Sequence, residues 1–154
     1  MRMNTHIENR QKAVKLDLRR IRRVVNKLKK VLSCSEQEIS LLFVDNEQIR
    51  QINRQYLKRD QPTNVISFTL REGDYGDINP QVLGDIVISA ERAFQDAAVG
   101  DLSLNDEIDF LVIHGLLHLL GYDHEGGNEM ESLKMMNKEN DVFFMLNGYE
   151  LERF

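Results

Sequence analysis

Three of the chain's four histidines fall in one window, His114-Gly115-Leu116-Leu117-His118-Leu119-Leu120-Gly121-Tyr122-Asp123-His124, and the spacing is that of a metal site. On an α-helix, residues four apart share a face about 6 Å apart, so His114 and His118 can turn two imidazole nitrogens toward one ion. Gly121 can take the left-handed backbone that ends a helix, and Tyr122-Asp123 can then swing His124 back as a third ligand. Three protein ligands leave a fourth position open. Zinc held by three histidines and a water is the arrangement of catalytic sites, where the ion lowers the pKa of that water to about 7. One zinc per chain is expected, although three imidazoles also suit nickel, copper or iron.

The bland alternative is core packing with incidental spacing. The helix expected from about Asn105 to Leu120 is apolar on nearly every side (Ile108, Phe110, Leu111, Val112, Ile113, Leu116, Leu117, Leu119, Leu120), and such a helix is buried. Two unpaired imidazoles inside it carry a desolvation cost that a shared cation removes. The window also has the histidine and glycine spacing of metzincin metalloproteases, but Gly115 stands where those enzymes carry the glutamate that takes a proton from the zinc-bound water. Peptidase action is therefore disfavoured. Asp123 or Glu125 could serve as a base from the other side, but Asp123 equally suits a hydrogen bond to a ligand or a place at the helix end.

The elements that must carry these residues can be read along the chain. A short strand is expected around Ala13 to Leu16. From Asp17 to Leu32, Leu18, Ile21, Val24, Val25, Leu28, Val31 and Leu32 recur at helical intervals, and the other face is basic through Arg19, Arg20, Arg22, Arg23, Lys27, Lys29 and Lys30. That face is either a nucleic-acid patch or a solvated surface. Ile39 to Val44 reads as a buried strand, and Asp45, with Gln48 in capping-box position, opens a helix to about Tyr56. Pro62-Thr63 breaks the chain before a strand over residues 65–70, and Gly73 to Pro80 is a polar loop. Gly84 to Ser89 is a third clear strand, Ser89 caps a helix to about Val99, the histidine helix follows, and a last helix runs from about Asn128 to Leu146 and stops at Gly148. The whole predicts an α+β fold: one domain over residues 1–154, with a small mixed β-sheet of about four strands covered by about five helices and the metal-bearing helix central.

Composition bounds the function. A chain of 154 residues with 42% hydrophobic side chains suits one core. A single cysteine, Cys34, allows no internal disulfide, and with no apolar signal segment it favours the cytoplasm. The longest apolar run, Phe110 to Ile113, is far short of the roughly 20 residues that span a bilayer, so no membrane role is expected. The net charge of -5 conceals a division: residues 1–34 carry 11 Lys or Arg against 2 acids, and residues 35–154 carry 9 against 23. The basic N-terminal part could meet phosphates that the remainder would repel.

Four segments together resemble a known family. Asn53-Arg54-Gln55-Tyr56, Asp60-Gln61-Pro62-Thr63-Asn64-Val65-Ile66-Ser67-Phe68, Leu83-Gly84-Asp85-Ile86-Val87-Ile88 and the window from His114 to His124 are similar to those of the YbeY-type single-strand endoribonucleases. Leu-Gly-Tyr-Asp-His after the second histidine is the most specific of them. The resemblance implies an α+β fold, zinc on the three histidines, and RNA of single-stranded character as substrate. It also implies work on rRNA and ribosomal particles: maturation of the 3′ end of 16S rRNA and ribosome quality control. One position departs. Members commonly carry an arginine directly after the tyrosine matching Tyr56, and here that residue is Leu57.

Arg59, two residues further on, is the candidate catalytic cation, able to bring a guanidinium to a phosphate. Its alternative is an exposed surface arginine. Asp85, read as opening its strand, could contact substrate or the site, and Ser67 could hydrogen-bond nearby; strand-end capping would serve either residue as well. The expected chemistry is metal-dependent endonucleolytic cleavage of RNA. Its rivals are a zinc hydrolase acting on a peptide or ester, and a ribosome-binding factor in which zinc only braces the fold.

Overall fold

A computed structural model describes residues 4–61, 63–69, 81–122 and 129–151. Its elements are β1 (Thr5–Asn9), α1 (Leu18–Val31), β2 (Glu38–Val44), α2 (Asn46–Leu57), β3 (Val65–Thr69), β4 (Val82–Ser89), α3 (Ala90–Val99), α4 (Leu104–Leu119) and α5 (Glu129–Asn147). The strands form one sheet in the order β1-β2-β4-β3, parallel across its first three members and antiparallel between β3 and β4. This is the mixed four-stranded α+β architecture that the sequence predicts. Pro62, the Gly73–Pro80 loop, Asp123, His124 and Glu125 lie outside the described residues.

Alternation along the strands builds two cores. Ile39, Leu41 and Phe43 of β2 and Ile86 and Ile88 of β4 turn to one face, where they pack with Ile21, Val25 and Leu28 of α1, most of α4, and Met135, Val142 and Phe143 of α5. On the other face, Val44, Ile66 and Val87 pack with Ile49 of α2 in a smaller cluster. Helix starts are set by side-chain oxygens, as their sequences require: Asp17, Asp45, Ser89 and Ser103 each accept from a backbone N–H of the first turn, and Asp45 and Gln48 form a capping box.

Two expectations need correction. Residues 13–16 are not a strand; the first strand is Thr5–Asn9. The Gln11 side chain takes the ladder's place, donating to Val14 O (2.7 Å) and accepting from Val14 N (2.9 Å), while Val14 and Leu16 pack onto the core from this connection. Thr5–Asn9 carries no apolar alternation because it is an edge strand with only Thr5 buried. The basic face of α1 is also narrower than its composition suggests. Arg20 grips Asp109 of α4 through both terminal nitrogens (3.0 and 3.2 Å), Arg22 donates to Thr5 O (2.5 Å), and Lys29 is buried with its ammonium on Asn4 Oδ1 (2.8 Å) and Thr5 Oγ1 (3.2 Å). Burial holds the Lys29 ammonium below its ordinary pKa and pushes the Asp109 carboxyl up, with Arg20 pulling it back.

Candidate active site

α4 places the histidines. It is buried on nearly every side, yet His114 and His118 are only partly covered and stand one turn apart with ring centroids separated by 4.7 Å. The helix ends in a Schellman turn: Tyr122 N donates to Leu117 O and Gly121 N to His118 O (3.0 Å each), with Gly121 at φ +102°. The turn expected at Gly121 is therefore present, directly ahead of His124. Among the described residues no cluster of three His, Cys, Asp or Glu side chains could hold a metal, and the third expected ligand lies outside them.

A carboxylate missed in the sequence stands behind the pair. Glu139 of α5 is 1% exposed, and its Oε2 lies 3.5 Å from His114 Nδ1. A carboxylate on one ring nitrogen fixes the imidazole's orientation and turns the other nitrogen outward, the usual support of a metal-binding histidine. Its signal was present: Glu139 falls in the buried stripe Met135, Glu139, Val142, Phe143 of α5, where a carboxylate needs a purpose. Two imidazoles on one helix face, one backed by a buried carboxylate, form a donor set that fits a divalent transition metal.

Gly115 has a structural cause as well as a chemical consequence. A β-carbon there would come within 2.8 Å of Ile86 Cγ2, and the Gly115 carbonyl accepts from Ser67 Oγ at 3.1 Å. This position faces the sheet, so it has no room for the glutamate of a metzincin.

The opposite wall comes from the end of α2 and from β3. His114, His118, Arg59, Asn53, Leu57, Ser67 and Tyr122 are among the residues lining one cleft of about 400 Å³. Arg59 is thus brought to the histidines across the sheet edge. Asn53, also missed in the sequence, shapes its loop: this buried residue donates from Nδ2 to Gln61 O (2.9 Å), and its carbonyl accepts from the backbone N–H groups of Lys58 and Arg59. Asp60, the neighbouring acid, is paired with Arg50 and so is not the partner of Arg59. Leu57 lines the same cleft as an apolar side chain. Asp85 is not brought to the site. It lies within β4, not at its start, and faces a separate groove with Tyr56 and Phe68 on the other side of the sheet. The reason is strand alternation: Ile86 faces α4, so Asp85 must face away.

Fold and cleft together define a small α+β domain with a paired-histidine site opposed by an arginine. The model of the family described as Endoribonuclease YbeY matches residues 6–147. The Endoribonuclease YbeY of Syntrophus aciditrophicus is 56% identical over 152 residues, 99% of this chain and 95% of that relative. That of Geobacter sulfurreducens is 42% identical over 144 residues, 94% of this chain and 96% of that relative. The solution structure of TM1509 from Thermotoga maritima superposes with a TM-score of 0.64 at 25% identity, over 94% of this chain and 89% of that one. The chain belongs to the YbeY endoribonuclease family.

Proposed function

We propose that this protein is a metal-dependent endoribonuclease that cuts single-stranded RNA in the maturation of rRNA, including the 3′ end of 16S rRNA, and in quality control of ribosomal particles in the cytoplasm. Family membership supports RNA as the substrate class. The observation that carries the mechanism is the shared cleft: Arg59 and the two histidines reach one space from α4 and from the loop after α2.

His114 and His118, with His124 as the third donor, would hold one divalent ion, for which zinc is the fitting choice. When bound, the ion supplies Lewis acidity toward a phosphate oxygen and a water acidic enough to ionise near neutral pH. Glu139 keeps the His114 ring turned to the cleft. Arg59 binds a non-bridging phosphate oxygen and offsets charge that grows on the phosphoryl group. Leu57 and Tyr122, on the lining, would set apolar and aromatic surface beside a bound strand. The single cysteine, buried and free, supports a reducing compartment such as the cytoplasm. Among the described residues no helix is long and apolar enough to cross a membrane.

The test is His114→Ala assayed on end-labelled single-stranded RNA. The variant is expected to keep its circular dichroism and lose cutting. Cutting at the parental rate by a folded variant refutes the site. Product ends identify the attacking group, because a 2′,3′-cyclic phosphate would assign it to the neighbouring ribose hydroxyl.

A further inference from the structure

Arg20, Arg22 and buried Lys29 are engaged by Asp109, Thr5 and Asn4, and four cations of α1 remain: Arg19, Arg23, Lys27 and Lys30. All four are exposed, and among the described residues none makes an ion pair. At about 100° per residue they fall within an arc of about 80° and extend about 16 Å along the axis. That arc is opposite the buried Ile21, Val25 and Leu28.

The row opposes local electrostatics. Apart from the capping Asp17, the first turn of α1 holds no acid, so Arg19 stands at the positive end of the helix dipole with that one carboxylate to offset it. Arg19 with Arg23, and Arg23 with Lys27, are like-charged pairs four residues apart, an arrangement that destabilises a helix. The dipole accounts for Lys30 alone. A polyanion would relieve this repulsion, and α1 has no aromatic side chain on which a base could stack, so the chemistry it offers is phosphate contact without base reading. Position completes the case. α1 packs at the β1 edge of the sheet, whereas the histidine cleft opens along β3 at the other edge. The stripe therefore stands outside the cleft, at the other edge of the sheet.

We propose that the Arg19, Arg23, Lys27 and Lys30 face of α1 is a second RNA contact that tracks the phosphate backbone outside the catalytic cleft. It rests on the proposed function for the identity of its ligand as RNA.

The experiment measures binding of a long single-stranded RNA across a salt series, with His114→Ala as the parent so that the strand stays whole. In it, all four residues are changed to Gln. The slope of log affinity against log salt is expected to flatten by about 0.7 for each cation removed from a phosphate, up to about 3 for the four, and affinity at moderate salt to fall at least tenfold. The melting temperature should hold or rise, since like charges are removed. Single Arg23→Gln and Lys27→Gln variants, each flattening the slope by about 0.7, supply the same reading should the fourfold variant fold poorly. An unchanged slope overturns the proposal, as does loss of binding to polyglutamate with RNA binding intact, which would assign the stripe to an acidic protein. A chain with His114 intact that binds RNA with a steep salt slope yet never cuts it refutes the nuclease reading and leaves the stripe standing.

Discussion

The Ser67 hydroxyl donates to the Gly115 carbonyl over 3.1 Å, so edge strand β3 is joined to the histidine helix at Gly115, where a β-carbon would meet Ile86 at 2.8 Å. The contact ties β3 to the helix one residue after His114.

Gly115→Ala is expected to destabilise the protein. The new methyl would meet Ile86 Cγ2 at 2.8 Å and Ser67 Oγ at 3.2 Å, and the branched isoleucine has little freedom to retreat. Overpacking of about 1–3 kcal/mol outweighs the roughly 1 kcal/mol that alanine gains over glycine in a helix. Urea denaturation reads the balance, and a variant as stable as the parent shows that the contact is loose.

Glu139→Gln keeps the side chain's shape and removes its charge behind His114. Loss of such a partner weakens metal binding by about 10–100-fold. Competition with a chromogenic chelator measures this, while a thermal melt without metal should show little loss. Equal zinc affinity in parent and variant assigns Glu139 to packing alone.

Arg59→Ala is expected to lower kcat/KM on RNA by about 100–1,000-fold, the cost of one preorganised donor at a developing charge. Because Leu57 lines the same cleft, adding Leu57→Arg to this variant should return most of the lost rate. A double variant as slow as Arg59→Ala would show that the two positions do not reach the same phosphate.

Burial pushes the Glu107 carboxyl up to about 7, and the charge of Asp96 adds to it. In the unfolded chain the group ionises near 4.5, so between these values the folded protein holds a proton that the unfolded chain has lost. Its favourable contribution is complete below the lower value and is lost as pH rises through the upper one. Glu107→Gln should therefore exceed the parent in stability at pH 8, on the order of 1 kcal/mol after allowing for solvent screening, with the gain gone below about pH 5. Equal stability at both pH values would place the carboxyl in water.

Much of the molecule was legible in the chain itself. Helical periodicity located α1, the caps Asp45 and Ser89 opened α2 and α3, and the nearly continuous apolar run after Asn105 located α4, because capping and burial are local in sequence; the Ser103 cap of α4 was not read. The spacing of His114 and His118 placed two rings on one face for the same reason, and motif order carried the family. Thr5–Asn9 escaped notice because an edge strand held mainly by backbone bonds to β2 shows no apolar alternation.

Tertiary structure alone decided what converges. Arg59 reaches the histidines because α2 covers one face of the sheet and its following loop reaches over the β3 edge, a relation between residues far apart in the chain. Alternation sent Asp85 to the opposite face, and partners brought in by folding drew Arg20, Arg22 and Lys29 inward. Glu139 acquires a role only where α5 docks on α4. Local interactions depend on neighbours a turn apart and can be read from spacing, whereas which buried charge meets which ring depends on how the layers pack.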